Sequence, residues 1–132
     1  MGQNPFAAFR NKKYLSLETY RKTGVAVRTP VWFAQGDEEH RDAEILYIYS
    51  RKNAGKVKRA RNNSFVRIAP CNIRGRVAGE WEPAIAEVLS PPEGTRGHEL
   101  LNRKYYLKRV AELFKGRETQ DVIRLRPAPR DA

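Results

Sequence analysis

Residues 14–34 hold two β-type runs, YLSLETY and VAVRTPVWFA, joined by the four residues RKTG. Apolar and polar side chains alternate through the first run, the period of a strand with one buried face. RKTG has room only for a tight hairpin turn, and Gly24 supplies the positive φ that such turns require. A hairpin this early favours an antiparallel sheet built by hairpin-like succession. Pro30 lies inside the return strand, Val25 to Ala34, where it cannot donate a ladder hydrogen bond. It marks an edge, a bulge or a ligand-facing position.

The rest of the chain continues the alternation of runs and breaks. Asn4 is placed to cap a short helix in the arm 1–12, with Pro5 at its first position and Phe6 and Phe9 on its buried side. A polar loop, Gln35 to Ala43, leads to a third strand, Glu44 to Ser50. A helix over Ala54 to Asn63 follows, with Ala54, Val57 and Ala60 as its narrow packed side. Phe65 to Cys71 and Trp81 to Leu89 read as the fourth and fifth strands, separated by the glycine-containing NIRGR loop. After the breaker-rich SPPEGTRG, a helix is predicted from His98 to Lys115, with Gly116 as its C-cap. A last strand, Asp121 to Leu125, precedes a tail, RPAPRDA, that reads as loose. Six strands with one long and two short helices predict an α+β, mainly β, single domain over 1–132, an antiparallel sheet or barrel with flanking helices.

Charge indicates the kind of partner. Lys and Arg number 26 against 15 Asp and Glu, a balance of +11. Such a surplus predicts an anionic partner: nucleic acid, an acidic membrane surface, or a phosphorylated or carboxylated small molecule. One cysteine, Cys71, allows no intramolecular disulfide, and no segment approaches the length of a membrane span. The expectation is a soluble, cytoplasmic chain with no membrane association. His40 and His98, with one cysteine, make no convincing zinc set, so no metal is expected. There is no G-x-S-x-G elbow, no H-E-x-x-H and no P-loop, since Gly55-Lys56 is followed by Val57. An enzyme with this inventory would draw its reactive group from a cofactor, and no catalytic side chain can be named.

The densest charge follows an apolar strand. Tyr49 to Asn63, YSRKNAGKVKRARNN, carries Arg51, Lys52, Lys56, Lys58, Arg59 and Arg61 where strand hands over to helix. A solvated helix face is the bland interpretation. Against it, Lys58, Arg59 and Arg61 repel one another around a short helix. Lys56 and Lys58 also oppose the dipole of the first turn by ~0.3–1 kcal/mol each. A bound phosphate would relieve both penalties, which makes the segment a candidate anion cradle.

In order along the chain, YLSLETYRKTGVAVRTPVWFA, LYIYSRKNAGKVKRARNN, FVRIAPCNIRGRV and GEWEPAIAEVL resemble the pyridoxamine 5′-phosphate oxidase-like, FMN-binding split-barrel superfamily. The likeness is to its branch of deazaflavin (coenzyme F-420) dependent oxidoreductases. The resemblance implies a six-stranded split β-barrel and a homodimer, with the cofactor in a groove between subunits. Thr29, Pro30, Val31 and Trp32 would lie along the flavin-type ring, and Tyr49 and Ser50 would lead to its phosphate. Lys56 would bind that phosphate, with Lys58 as a second basic contact; Arg51 and Arg59 are less certain ones, because the spacing of basic residues varies there. Arg74 and Trp81 would close the groove from the other subunit. The C-terminal Trp and Arg signature of true pyridoxamine phosphate oxidases is missing, which argues against vitamin B6 oxidation. The loop GDEEHRDA is longer than the family leads one to expect, and Ser64 stands where relatives have Pro.

By resemblance the function is hydride transfer between the cofactor and a small-molecule substrate. FMN carries one phosphate, whereas coenzyme F-420 adds a phosphodiester and an anionic oligoglutamate tail, which the +11 balance suits better. One alternative is a carrier of FMN, F-420 or heme without turnover. A nucleic-acid-binding module stacking bases on Trp32, Tyr47 and Tyr49 ranks lower, because no RNP, KH or helix-turn-helix signature is present.

Overall fold

Alternation along the first hairpin sorts its side chains onto two faces. In the computed structural model, β1 (Tyr14–Tyr20) points Leu15 and Leu17 inward, and β2 (Ala26–Gln35) does the same with Val31 and Phe33. The turn between them is as the sequence predicts. Gly24 sits at φ 90°, and its N–H donates to the Arg21 carbonyl at 2.7 Å. The structure describes residues 4–51, 54–90, 93–104 and 120–129.

Four more strands complete the sheet: β3 (Leu46–Arg51), β4 (Phe65–Cys71), β5 (Glu82–Leu89) and β6 (Gln120–Pro127). All pairings are antiparallel, and the order β1-β2-β3-β6-β5-β4 closes into a barrel. The interior is filled by Leu15, Leu17, Phe33, Ile48, Ile68 and Ile123 among others. Phe6 and Phe9 plug the mouth beside Phe33, Phe9 meeting that ring edge-on at 5.9 Å. The other mouth is closed by α1 (Gly55–Asn62), whose Val57 and Ala60 enter the same core. A second helix, α2 (Thr95–Lys104), packs Leu100 and Leu101 on the outer face of β3 and β6, against Tyr47 and Val122. Among the described residues no helix is long and apolar enough to cross a membrane.

Several boundaries differ from the sequence expectation, each for a local reason. The N-terminal helix is a single 3-10 turn, Ala7–Phe9, and Asn4 reaches the Phe6 N–H and the Ala43 carbonyl. β3 begins at Leu46, because the Ile45 N–H and carbonyl are taken by Asp42 and Gly36 in the loop before it. Trp81 precedes β5, its ring drawn onto two arginines instead. β6 runs to Pro127, so Arg126 and Pro127 of the expected loose tail pair with Ile85 and Ala84. α2 starts at Thr95, and its predicted continuation to Lys115 with a Gly116 cap lies outside the described residues.

The long loop before β3 is held by an ionic network. Arg96 of α2 donates to both oxygens of Asp42 (2.9 and 3.1 Å) and pairs with Asp37, and the Tyr47 hydroxyl also donates to Asp42. His40 is exposed and bonds Asp37. Burial, reinforced by Asp42, pushes the Tyr47 phenol up to about 12.

Candidate functional site

The barrel is split along one seam. β2 pairs with β1 from Ala26 to Trp32, but with β3 only from Phe33 to Gln35. Beyond that, Tyr49, Ser50 and Arg51 pair with β6 alone. The stretch Ala26–Trp32 therefore has a strand on one side and none on the other among the described residues. α1 begins four residues after the end of β3 and packs against β1, β3 and β5 at this end.

Positive charge collects at the first turn of α1. Lys56 is half-buried, and burial together with the nearby Arg59 lowers its ammonium pKa. Arg59 donates from Nε to the hydroxyl of Thr19 at 2.7 Å, and that threonine is fully buried. Desolvation and the neighbouring Arg21 lower the Arg59 pKa in turn. A Cβ at Gly55 would sit 2.7 Å from an Arg59 Nη, so the guanidinium lies against the bare backbone that opens the helix. Arg28, Arg61, Arg67, Arg96 and Arg124 all pair with carboxylates. Among the described residues, Arg21, Lys56, Lys58 and Arg59 do not. An uncompensated cluster of this kind makes the first turns of α1 a candidate anion site, with a guanidinium fork and an ammonium of the type that a phosphate would accept from.

The residues singled out in the sequence divide around this point. Val31 belongs to the core and Thr29 is half-buried, so Val31 can offer a ligand only its backbone. Pro30 and Trp32 face outward: Pro30 lies under Gly75 of the loop after β4, and Trp32 meets Tyr14 at 6.3 Å. Ser50 is buried opposite Asp121. Tyr49 turns to α2, its ring 4.6 Å from that of His98 and its hydroxyl bonded to His98 Nδ1. Arg51 ends β3, with its side chain outside the described residues. Lys58 is exposed on α1, and Arg74 is exposed on the 72–76 loop. The base-stacking surface does not form, because Tyr47 is 4 % exposed and bound to Asp42.

Trp81 occupies an unexpected place. Its ring lies against two guanidiniums of its own chain, Arg28 at 4.6 Å and Arg67 at 5.3 Å. Both arginines bind the fully buried Glu18: Arg28 through Nε at 2.8 Å, Arg67 through Nε and Nη2 at 2.6 and 3.1 Å. Hydrogen bonding from Arg67, opposed by burial, holds the Glu18 carboxyl down at about 2. Sequence reasoning missed Glu18, Thr19, Arg21, Arg28 and Arg67. The available signal was an acidic residue inside an apolar strand, but its partners lie on two other strands.

No family model matches the chain, and no curated protein does. Solved structures do. An F420 reductase superposes with a TM-score of 0.65 at 18% identity, over 98% of this chain and 97% of that one. The heme storage protein HutZ from Vibrio cholerae gives 0.69 at 14% identity, over 92% and 85%. A conserved hypothetical protein from Mycobacterium tuberculosis gives 0.67 at 14%, over 100% and 91%. At these identities the likeness establishes a shared fold: the split barrel that the sequence motifs led one to expect.

Proposed function

We propose that the chain is a flavin- or deazaflavin-dependent oxidoreductase, with Lys56, Arg59 and Arg21 gripping the cofactor's phosphate and β2 from Thr29 to Trp32 lying along its ring. One observation carries this reading: cations without carboxylate partners among the described residues gather on α1 beside Thr19 of β1, whose register partner Val27 lies in the one-sided stretch of β2. The donor set fits a phosphate. Lys56 supplies a compact charge, and Arg59, its Nε committed to Thr19, keeps its terminal nitrogens for an anion. The exposed main chain of Ala26–Trp32 offers hydrogen-bonding groups to a flat heterocycle. When bound, the cofactor would exchange a hydride with a small oxidised substrate; the chain binds, orients and shields it. A second copy would complete the groove, and the exposed Arg74 is free to reach across. Trp81, expected to do the same, rests on Arg28 and Arg67 of its own barrel.

The F420 reductase among the superposing structures supports deazaflavin chemistry, as does the charge of +11 for a cofactor with a long anionic tail. HutZ favours a second reading, cofactor carriage without turnover. The described histidines give heme little support, since His40 bonds Asp37 and His98 is buried against Tyr49. Titrating FMN and coenzyme F-420 into the purified protein, read by fluorescence quenching, tests the proposal. Micromolar binding of either supports it, and no binding below roughly millimolar concentration defeats it. Reoxidation of the bound, reduced cofactor by candidate acceptors then separates enzyme from carrier.

A further inference from the structure

Among the described residues, β2 from Ala26 to Trp32 has a ladder on one side only, yet it forms a wall of the proposed groove. Half-paired strands fray unless something else fixes them. Here the fastening lies on the outward face. Glu18 of β1 stands opposite Arg28 of β2 and Arg67 of β4 in the register, and its carboxylate binds both. Trp81 covers the two guanidiniums and ends the loop 72–81. That loop is stitched down by a bridge from Cys71 to Val77 and by the Ala78 N–H on the Pro70 carbonyl. Its Gly75 lies over the ring of Pro30, two residues along β2 from Arg28. The half-paired strand is thus held at two successive outward positions by one connected assembly.

Glu18 has no contact with solvent, while the Arg28 and Arg67 side chains are 55 % and 39 % exposed. A buried carboxylate under two half-exposed arginines costs desolvation that a hydrophobic residue would avoid, so its value lies in fixing geometry. We infer that Glu18 is a positioning residue for the cofactor groove, aligning the half-paired stretch of β2 through Arg28 and the loop above it through Arg67 and Trp81. This rests on the proposed function for the groove itself, but the ordering of the strand is independent of any ligand.

Three probes separate positioning from a general structural role: FMN, riboflavin, which lacks the phosphate, and inorganic pyrophosphate, which has no ring. Glu18→Gln keeps the shape and removes the charge. It should weaken FMN and riboflavin by the same factor, about tenfold, and leave pyrophosphate binding at the Lys56 cluster unchanged. Equal losses for all three probes, or none for the flavins, overturn the inference. Hydrogen exchange of the peptide covering Ala26–Trp32 should accelerate in the variant while that of β6 does not; unchanged exchange also overturns it. Failure of the wild-type protein to bind FMN, riboflavin and coenzyme F-420 alike sinks the proposed function and the groove role with it, and exchange still decides whether Glu18 orders the strand. Should Glu18→Gln not fold, Arg28→Gln, at a half-exposed position, carries the same comparison.

Discussion

Arg59 spends its Nε on the buried hydroxyl of Thr19, 2.7 Å away across 40 residues of chain. The bond aims a guanidinium that has no carboxylate partner among the described residues. Thr19→Val keeps the volume and removes the acceptor. Phosphate or FMN affinity should fall roughly 3–10-fold, because Arg59 loses its anchor, while stability changes by about 1 kcal/mol or less. Isothermal titration alongside urea unfolding checks both halves.

Lys56→Ala should weaken FMN or coenzyme F-420 binding by ~1.5–3 kcal/mol if Lys56 makes a charge-assisted bond to phosphate. Riboflavin should bind the variant and the wild type equally. Stability of the free protein should hold, since the substitution removes a repulsion with Arg59 and no ion pair. An unchanged FMN affinity would take Lys56 out of the site.

Glu18 gives the protein an acid-sensitive term. Its carboxyl is held at about 2 in the folded barrel, against ~4.3 in an unfolded chain. A depressed folded pKa means the stabilisation is complete above about pH 5 and drains away as pH falls towards 2, on the order of 3 kcal/mol in all. Urea unfolding between pH 6 and pH 2 (roughly the window of that shift) should show this slope, and Glu18→Gln should flatten it.

Gly97→Ala should destabilise by ~1–3 kcal/mol although alanine is the better helix former. The added Cβ would sit 2.5 Å from Val122 Cγ1 and 3.1 Å from the Tyr47 ring, where α2 approaches β6 and β3. Chemical denaturation reads the loss directly. Gly97→Ala with Val122→Ala should recover part of it.

Local patterning carried most of the architecture. The hairpin, Gly24, β4 from Phe65 to Cys71 and the buried side of α1 at Val57 and Ala60 all follow from period, turn chemistry and apolar spacing. The cationic cluster was legible in part, because Lys56 and Arg59 are neighbours on one short helix. Thr19 and Arg21 were not, since only the barrel brings the end of β1 to α1. The resemblance points Trp81 toward a second subunit, while its seat on Arg28 and Arg67 of its own chain depends on registers that place them on either side of Glu18. Cross-strand register is a property of the closed sheet, and no single run of residues encodes it.

Among the described residues, Ala26–Trp32 of β2 has one bare edge, and this bears on association between copies. A bare strand edge is a template on which another chain can add a strand, and repeated addition leads to fibrils. Pro30 stands in the middle of that edge without an N–H to offer, flanked two positions away by the charge of Arg28. A proline here interrupts the continuous ladder a foreign strand would need. It acts as a gatekeeper against aggregation.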